Sequence, residues 1–362
     1  RTEDRCQKTE DRGQKTEELH YFYPTNTLIT ASEILFFWVA RMIMMSLYFK
    51  RDVPFREVLI NPIVNDEHGQ KMSKSKGNVV DPMELIGKNG SDVLRFTLTS
   101  LTTPGRNLIL GDEKIEGVRN FTNKLWNASK FVISNLGEME NNDSIKIEQL
   151  DLNIWDRWIL SGLNRTIRDV EKYLGKYNFS FASRLLTDFF WNEYCDWYIE
   201  SAKIRVYSAK NDNDKRSVIF MLWYVLESYL KLLHPFMPFI TEMIWQNIPH
   251  CGDSIMVADF PEFDPEKVNK DAESRIRILF DVISEIRKIR SELKINPADR
   301  VRISLAVTKD RSKDILEKNK EYVKAARVIG RHPAAVIGDL QRTIFVERDL
   351  DRVAVALHGL ID

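Results

Sequence analysis

The sequence predicts a mainly α-helical protein with α/β parts. From about Asp112 to Ile248, apolar residues recur at helical spacing almost without a break. Short β-branched runs lie only outside that stretch, at Val58–Val64 and again beyond Val301. A third observation bears on chemistry: the polar loop Gly69–Asn78 holds Lys71, Lys74 and Lys76 interleaved with Ser73 and Ser75.

The first segment repeats itself, Arg1–Gln7, Lys8–Gln14 and Lys15–Glu18, with no apolar position at the seven-residue period. No coiled-coil seam is available to it, so residues 1–18 read as a solvated, disordered duplication. Residues 28–49 read as one buried core helix. A membrane span needs ~20 predominantly apolar residues, and Glu33 and Arg41 interrupt this run, so no membrane association is expected. Val58–Val64 reads as a strand, Asp66-Glu-His-Gly69 as a turn, and Asp92–Ser100 as a helix.

In the long helical stretch, Phe121, Leu125, Ala128 and Val132 share one helix face. A further helix begins near Asn153, capped by Asp151 or Asn153. Trp191, Tyr194 and Tyr198 are spaced as core residues are, and belong to bundle packing. The apolar helix 216–233 must break at His234-Pro-Phe-Met-Pro238, because proline lacks a donor and clashes with the preceding turn. After the linker Asp259–Pro265 come an amphipathic helix, Ala272–Lys294, and the strand-like runs Val301–Val307, Thr343–Val346 and Arg352–Leu357. The expected parts are residues 1–18, 19–116, 117–262 (a helical bundle) and 263–362 (a small α/β appendage).

Lys+Arg and Asp+Glu are both 53, which excludes a wholly electrostatic nucleic-acid binder; any such contact must come from local patches. The three cysteines and six histidines show no metal-ligand spacing, so no metal site, no disulfide framework and a reducing compartment are expected. The polar N-terminus has no apolar run of the signal-peptide kind, and a cytoplasmic location follows.

Three ammonium groups on flexible stems suit a polyphosphate, and they can stabilise charge developing at a phosphorus. The plainer reading of such a loop is a solvated basic turn. The order of residues decides between them. Asp66-Glu-His-Gly-Gln-Lys-Met-Ser-Lys-Ser-Lys-Gly-Asn-Val-Val-Asp-Pro82 resembles the Lys-Met-Ser-Lys-Ser signature region of class I aminoacyl-tRNA synthetases, the valine–tRNA ligase (valyl-tRNA synthetase) family in particular. Phe36-Phe-Trp-Val-Ala-Arg-Met42, Asp92-Val-Leu-Arg-Phe96, Arg119–Trp126 and His234–Glu242 agree with it, and the likeness runs from about residue 15 to 362.

The resemblance implies the C-terminal remnant of a Rossmann-like nucleotide-binding class I fold in residues 19–116, then an anticodon-binding bundle, then the appendage. It implies ATP-dependent activation of L-valine and transfer to valine tRNA, with Mg2+ carried on ATP. It gives Lys71 and Lys74 the catalytic role, Lys71, Ser73, Lys74 and Ser75 the ATP contacts, and Ile34 a wall of the amino-acid pocket. The helix 118–132 carries a second stripe, Asn120, Lys124, Asn127 and Phe131. Amides, a cation and a ring suit unstacked RNA bases, and the resemblance makes this the anticodon-reading face. The cluster Arg287, Lys288, Arg290 and Lys294 reads as a solvated helix end.

The sequence also departs from the family. No His-x-Gly-His signature, no strand before residue 28 and no inserted editing domain are found. Asn61-Pro62 replaces a common His-Gly, and Ala31-Ser-Glu33 a common Gly-Tyr-Asp. The expectation is a C-terminal half that needs the missing N-terminal half for activity, exposes apolar surface and an open edge at Val58–Val64, and does not activate valine alone. The alternatives are a non-catalytic tRNA-binding module, a broken gene product, or an isoleucyl or leucyl relative.

Overall fold

The β-branched Thr25, Thr27, Ile29 and Thr30 tolerate extended backbone in Thr25–Ala31, and pairing with a second strand makes the segment a strand, β1. The computed structural model describes residues 18–103, 105–137, 147–208, 212–296, 302–307, 310–325, 344–348 and 351–358, for some of them the backbone alone. The repeat at 1–17 lies outside the described residues. The chain forms two compact units: one of residues 1–118 with 173–181, the other of residues 119–172 with 182–362.

In the first unit β1 pairs in parallel with β2 (Phe55–Asn61), in register from Thr25 opposite Phe55 to Ala31 opposite Asn61. A parallel pair needs a crossover connection. Here it runs through a 3-10 turn (Ser32–Ile34), a π-helical turn (Leu35–Val39) and α1 (Ala40–Phe49). The single helix expected over 28–49 is therefore corrected: its first residues are strand, because Leu28–Ala31 hydrogen-bond to β2. The expected burial is corrected as well. Of these helical segments only Val39 and Ser46 are buried, while Phe36 is 78% and Trp38 58% exposed. A two-stranded sheet offers too little apolar surface to cover such a helix. Val58 and Ile60 on β2 are also exposed. Ser32–Phe49, 18 residues of mean hydropathy 1.4, passes the length-and-apolarity test for a membrane span, which core helices of soluble proteins pass as well.

The strand expected over Val58–Val64 is two strands. Pro62 has no amide hydrogen to give a ladder, and the chain resumes as β3 (Val64–Asn65), parallel to β4 (Leu108–Ile109). Asp81 caps α2 (Pro82–Asn89) by accepting from Met83 N at 2.8 Å, and α3 (Ser91–Leu101) follows. Val93, Leu108, Leu110 and Ile115 form a small core, with Leu85, Leu98 and Val118 against it; Ile115 lies at the start of α4 (Asp112–Leu136). The turn Tyr173–Phe181 belongs to this unit too. Tyr177, at φ 54, donates its hydroxyl hydrogen to Glu57 Oε2 (2.6 Å), with Thr27 Oγ1 at 2.9 Å. Thr27 and Glu57 are register partners, so one phenol fastens both strands.

The second unit is built from the rest of α4, then α5 (Ile154–Leu174), α6 (Phe179–Asp188), a π-helical run (Phe189–Ile199), α7 (Glu200–Ser208), α8 (Asp212–Leu233), α9 (Pro238–Trp245) and α10 (Lys270–Glu292). Asn153 is the cap of α5: its Oδ1 accepts from Trp155 N (2.8 Å) and Asp156 N (3.0 Å). The core holds Phe121, Leu125, Trp155, Phe190, Tyr194, Tyr198 and Tyr229, all buried. Helix α8 ends where the His-Pro sequence requires, and Pro238 occupies the first turn of α9, where its missing hydrogen costs nothing. Helix α10, assigned from sequence to the terminal appendage, packs on the bundle, where Phe280 stacks on Trp197 (3.9 Å) and meets Trp158 edge-on (5.0 Å), and also on the residues that follow it, where Arg311 Nη2 donates to Asp271 Oδ1 (2.9 Å). Two short helices, α11 (Asp310–Lys318) and α12 (Lys320–Ala325), and an antiparallel sheet of β5 (Arg302–Val307), β6 (Ile344–Arg348) and β7 (Asp351–His358), in the order β5-β7-β6, complete a mainly α fold with α/β parts.

Candidate functional site

The lysine loop is tied at both ends by side chains the sequence reading passed over. Asp66 Oδ1 accepts from Gln70 N (2.7 Å) and His68 N (3.1 Å), and its Oδ2 accepts from Asn78 Nδ2 (2.7 Å). Asn78 Oδ1 in turn accepts from Ser73 N at 2.9 Å. Gly69 closes the turn at φ 75, with its N–H on Asp66 O, a conformation glycine adopts without strain. Lys71 continues as a bridge to Asn65, and Lys74–Lys76 form a 3-10 turn ending at Gly77, φ 67. The two main-chain ends are therefore fixed 12 residues apart in sequence by one carboxylate–amide pair. A signal existed: an Asp at a turn and an Asn at the loop's far end are residues that satisfy backbone donors.

On that frame Lys71 Nζ donates to the Glu33 carboxylate, Lys76 Nζ reaches Gln70 Oε1 at 3.5 Å, and the Ser73 and Ser75 hydroxyls lie 3.3 Å apart. The side chain of Lys74 lies outside the described residues. Ile34 is 43% exposed in the 3-10 turn after β1, next to Glu33. The structure thus brings Lys71, Ser73, Ser75 and, through Glu33, the end of β1 into one neighbourhood.

The hydrogen bond from Asn78, with those from the backbone of Gln70 and His68, holds the Asp66 carboxyl below its ordinary value. A depressed carboxyl stabilises the folded loop above the unfolded pKa, and the contribution fades as pH falls through the folded value. Asp66 is therefore expected to titrate below the free value of about 3.9, and Asn78→Ala to raise it towards that value. A pH titration of the Gln70 amide resonance checks this; titration of the wild type at or above the free value would refute it.

Helix α4 holds the second candidate. Asn120 and Asn127 are exposed as the sequence predicts. Lys124 is half-buried: its ammonium pairs with Asp196 (2.6 Å) and lies 4.0 Å over the Trp191 ring. Phe131 is partly buried, with the Lys203 ammonium 5.4 Å from its ring. The more open stripe runs beside it: Arg119, Asn123, Trp126 and Lys130, spaced four, three and four, all exposed. Among the described residues none of these four has a hydrogen-bond or ion-pair partner. Sequence spacing alone could have found it, since 119-123-126-130 has the same period as 120-124-127-131; the stripes differ in that Lys124 and Phe131 are partly covered, while Asn120 and Asn127 are exposed.

The basic cluster on α10 is mostly engaged. Arg287 lies over Trp197 at 4.7 Å, and burial lowers its pKa; Lys288 pairs with Glu285, and Arg290 donates to Asn296 O. Burial pushes the Cys195 thiol up, which leaves it unreactive.

Comparison with known proteins adds the context. Residues 7–110 match the family model for class I tRNA synthetases (I, L, M and V), and residues 156–305 match that for the anticodon-binding domain of tRNA ligase. The chain is 44% identical over 352 residues to a valine–tRNA ligase of Geobacter sulfurreducens, covering 95% of this chain and 39% of that protein. It is 46% identical over 308 residues to one from Carboxydothermus hydrogenoformans, covering 85% and 34%. It therefore spans little more than a third of the length of these relatives. Among solved structures, a leucyl enzyme from Agrobacterium radiobacter in a ternary complex with tRNA and LeuAMS matches with a TM-score of 0.54 at 20% identity, over 77% of this chain and 36% of that one. A Mycobacterium tuberculosis methionyl-tRNA synthetase with methionyl-adenylate matches with a TM-score of 0.53 at 19% identity, over 62% and 44%. At these identities the structures show the shared fold.

Proposed function

We propose, since this chain belongs to the class I tRNA synthetases, that it supplies the phosphate loop and the anticodon-reading helices of a valine–tRNA ligase, an enzyme that activates L-valine with ATP and transfers it to valine tRNA. The observation that carries this reading is the tied loop Asp66–Asn78, which presents Lys71, Ser73 and Ser75 from fixed main chain. A purely RNA-binding module has no use for such a frame.

The residues fit a triphosphate. The Lys71 ammonium supplies mobile positive charge, while the Ser73 and Ser75 hydroxyls supply short donors; Lys74 joins them by the family motif. Magnesium carried on the nucleotide would neutralise part of the phosphate charge. The chain's own part is to hold the phosphates in line and to stabilise the charge that gathers on them. Ile34, beside the end of β1, takes the apolar side of valine. On α4, Trp126 stacks on an unpaired base while Arg119 and Lys130 meet the phosphates on either side. The work is done in the cytoplasm, where charged tRNA is consumed.

Binding of the purified chain to valine tRNA, against the same tRNA with its anticodon replaced, tests this. A preference of about tenfold or more for the valine anticodon is expected, the scale of one lost base contact. Equal binding of both by a folded chain would remove the anticodon-reading role.

A further inference from the structure

Among the described residues, the ion pair that joins the phosphate loop to the rest of its unit is Lys71 with Glu33. Glu33 stands in the 3-10 turn at the end of β1, 38 residues earlier in the chain than its partner. The main chain of Lys71 is fixed by its bridge to Asn65 and by the Asp66–Asn78 tie. A change of partner at Lys71 therefore needs only rotation of the lysine stem. The neighbouring cation is directed elsewhere, Lys76 towards Gln70, so Glu33 engages Lys71 alone among the loop cations whose side chains are described.

Both side chains are more than half exposed, Lys71 61% and Glu33 52%. A pair so open to water is weak and exchanges readily. A polyphosphate brings several negative charges and many acceptor oxygens to the same ammonium, and so competes well against one carboxylate. Until it is displaced, the Glu33 carboxylate does two things to an arriving phosphate: it occupies the lysine, and it repels like charge.

We infer that Glu33 is the resting counterion of Lys71, a positioning residue that holds the ammonium back from the phosphate site until a polyphosphate displaces it. The inference rests on the reading of the loop as a phosphate site. The competition is one of degree: a triphosphate, with more charge and more acceptor oxygens, displaces Glu33 from Lys71 more completely than a singly charged ligand does.

The test is calorimetric titration of ATP into the full chain, wild type and variants, at about 50 mM and about 0.5 M salt, with circular dichroism to confirm folding. Glu33→Gln is expected to bind ATP about three- to tenfold more tightly at low salt, the scale of an exposed pair with added repulsion. Screening should shrink the gain to less than about twofold at high salt. Glu33→Asp keeps the charge and should stay within about twofold of wild type. Lys71→Ala should bind more weakly, and Glu33→Gln should then have no further effect in that background. An unchanged or weakened Glu33→Gln, or a gain that persists without Lys71, overturns the counterion role and leaves the phosphate site standing. Failure of every folded variant to bind ATP overturns the phosphate reading and the counterion role together.

Discussion

Replacing Asp156 with alanine should cost the helical unit about 3–5 kcal/mol, the range for breaking a buried ion pair. The carboxylate is wholly buried, and each of its oxygens is used. Oδ1 accepts from Tyr198 Oη (2.7 Å) and Arg205 Nη1 (2.7 Å); Oδ2 accepts from Arg205 Nη1 (2.9 Å) and Asn153 N (3.0 Å). Arg205 spends its remaining donors on Asp214, with Nη2 at 2.9 Å. Alanine would remove the buried carboxylate and leave the guanidinium, 7% exposed, with the part-exposed Asp214 alone among the described carboxylates, beside a phenol that has lost its acceptor. The cap of α5 would also loosen, because Asn153 and Asp156 bond each other reciprocally. Urea unfolding followed by far-ultraviolet circular dichroism measures the loss. The pair's net worth is a separate quantity: Asp156→Leu with Arg205→Met, matched in shape, should fall well short of the single-variant loss. A single-variant loss under about 1 kcal/mol would mean the network is solvated and the buried-charge argument fails.

How much of this was legible beforehand divides along the range of the interactions. Helices α4 and α8 were readable because their periodicity is a local property of the chain. The lysine loop was readable because residue order, not composition, singles out Lys71-Met-Ser-Lys-Ser75. What failed depends on partners distant in sequence. Leu28–Ala31 is as apolar as a helix start, and only pairing with Leu59 and its neighbours, about thirty residues on, makes it strand. Phe280 gives no local hint that it will lie among Trp155, Trp158 and Trp197. In the site, Asp66 and Asn78 were within reach of local turn chemistry. The meeting of Glu33 and Lys71 was not, because two exposed opposite charges in one chain are too common to pair by inspection. The choice between the two stripes of α4 also needed the fold: Lys124 and Phe131 read as free until Asp196, Trp191 and Lys203 are placed beside them.

That choice makes Trp126→Ala the substitution with the largest expected effect on tRNA. Its ring is 39% exposed on a long helix, between Asn123 and Lys130 on the same stripe. A base stacked on such a ring is worth about 1–3 kcal/mol, so the dissociation constant for valine tRNA should rise roughly ten- to hundredfold. The residue is more than half covered, so removing the indole also costs packing, and affinity is compared per folded molecule. Arg119→Ala and Lys130→Ala should act differently, each lowering affinity for any tRNA and reducing the slope of log affinity against log salt by about one. Lys124→Ala is the informative contrast. Its ammonium is committed to Asp196 and Trp191, so its loss should destabilise the bundle more than it weakens binding per folded molecule. Filter binding across a salt series, paired with melting curves for each variant, separates the cases. If Trp126→Ala binds as wild type does while Lys124→Ala and Phe131→Ala lose affinity without losing stability, the inner stripe reads the RNA. The bundle would then have to open its Lys124–Asp196 pair on binding, and that rearrangement would be visible as a salt-dependent step in the association rate.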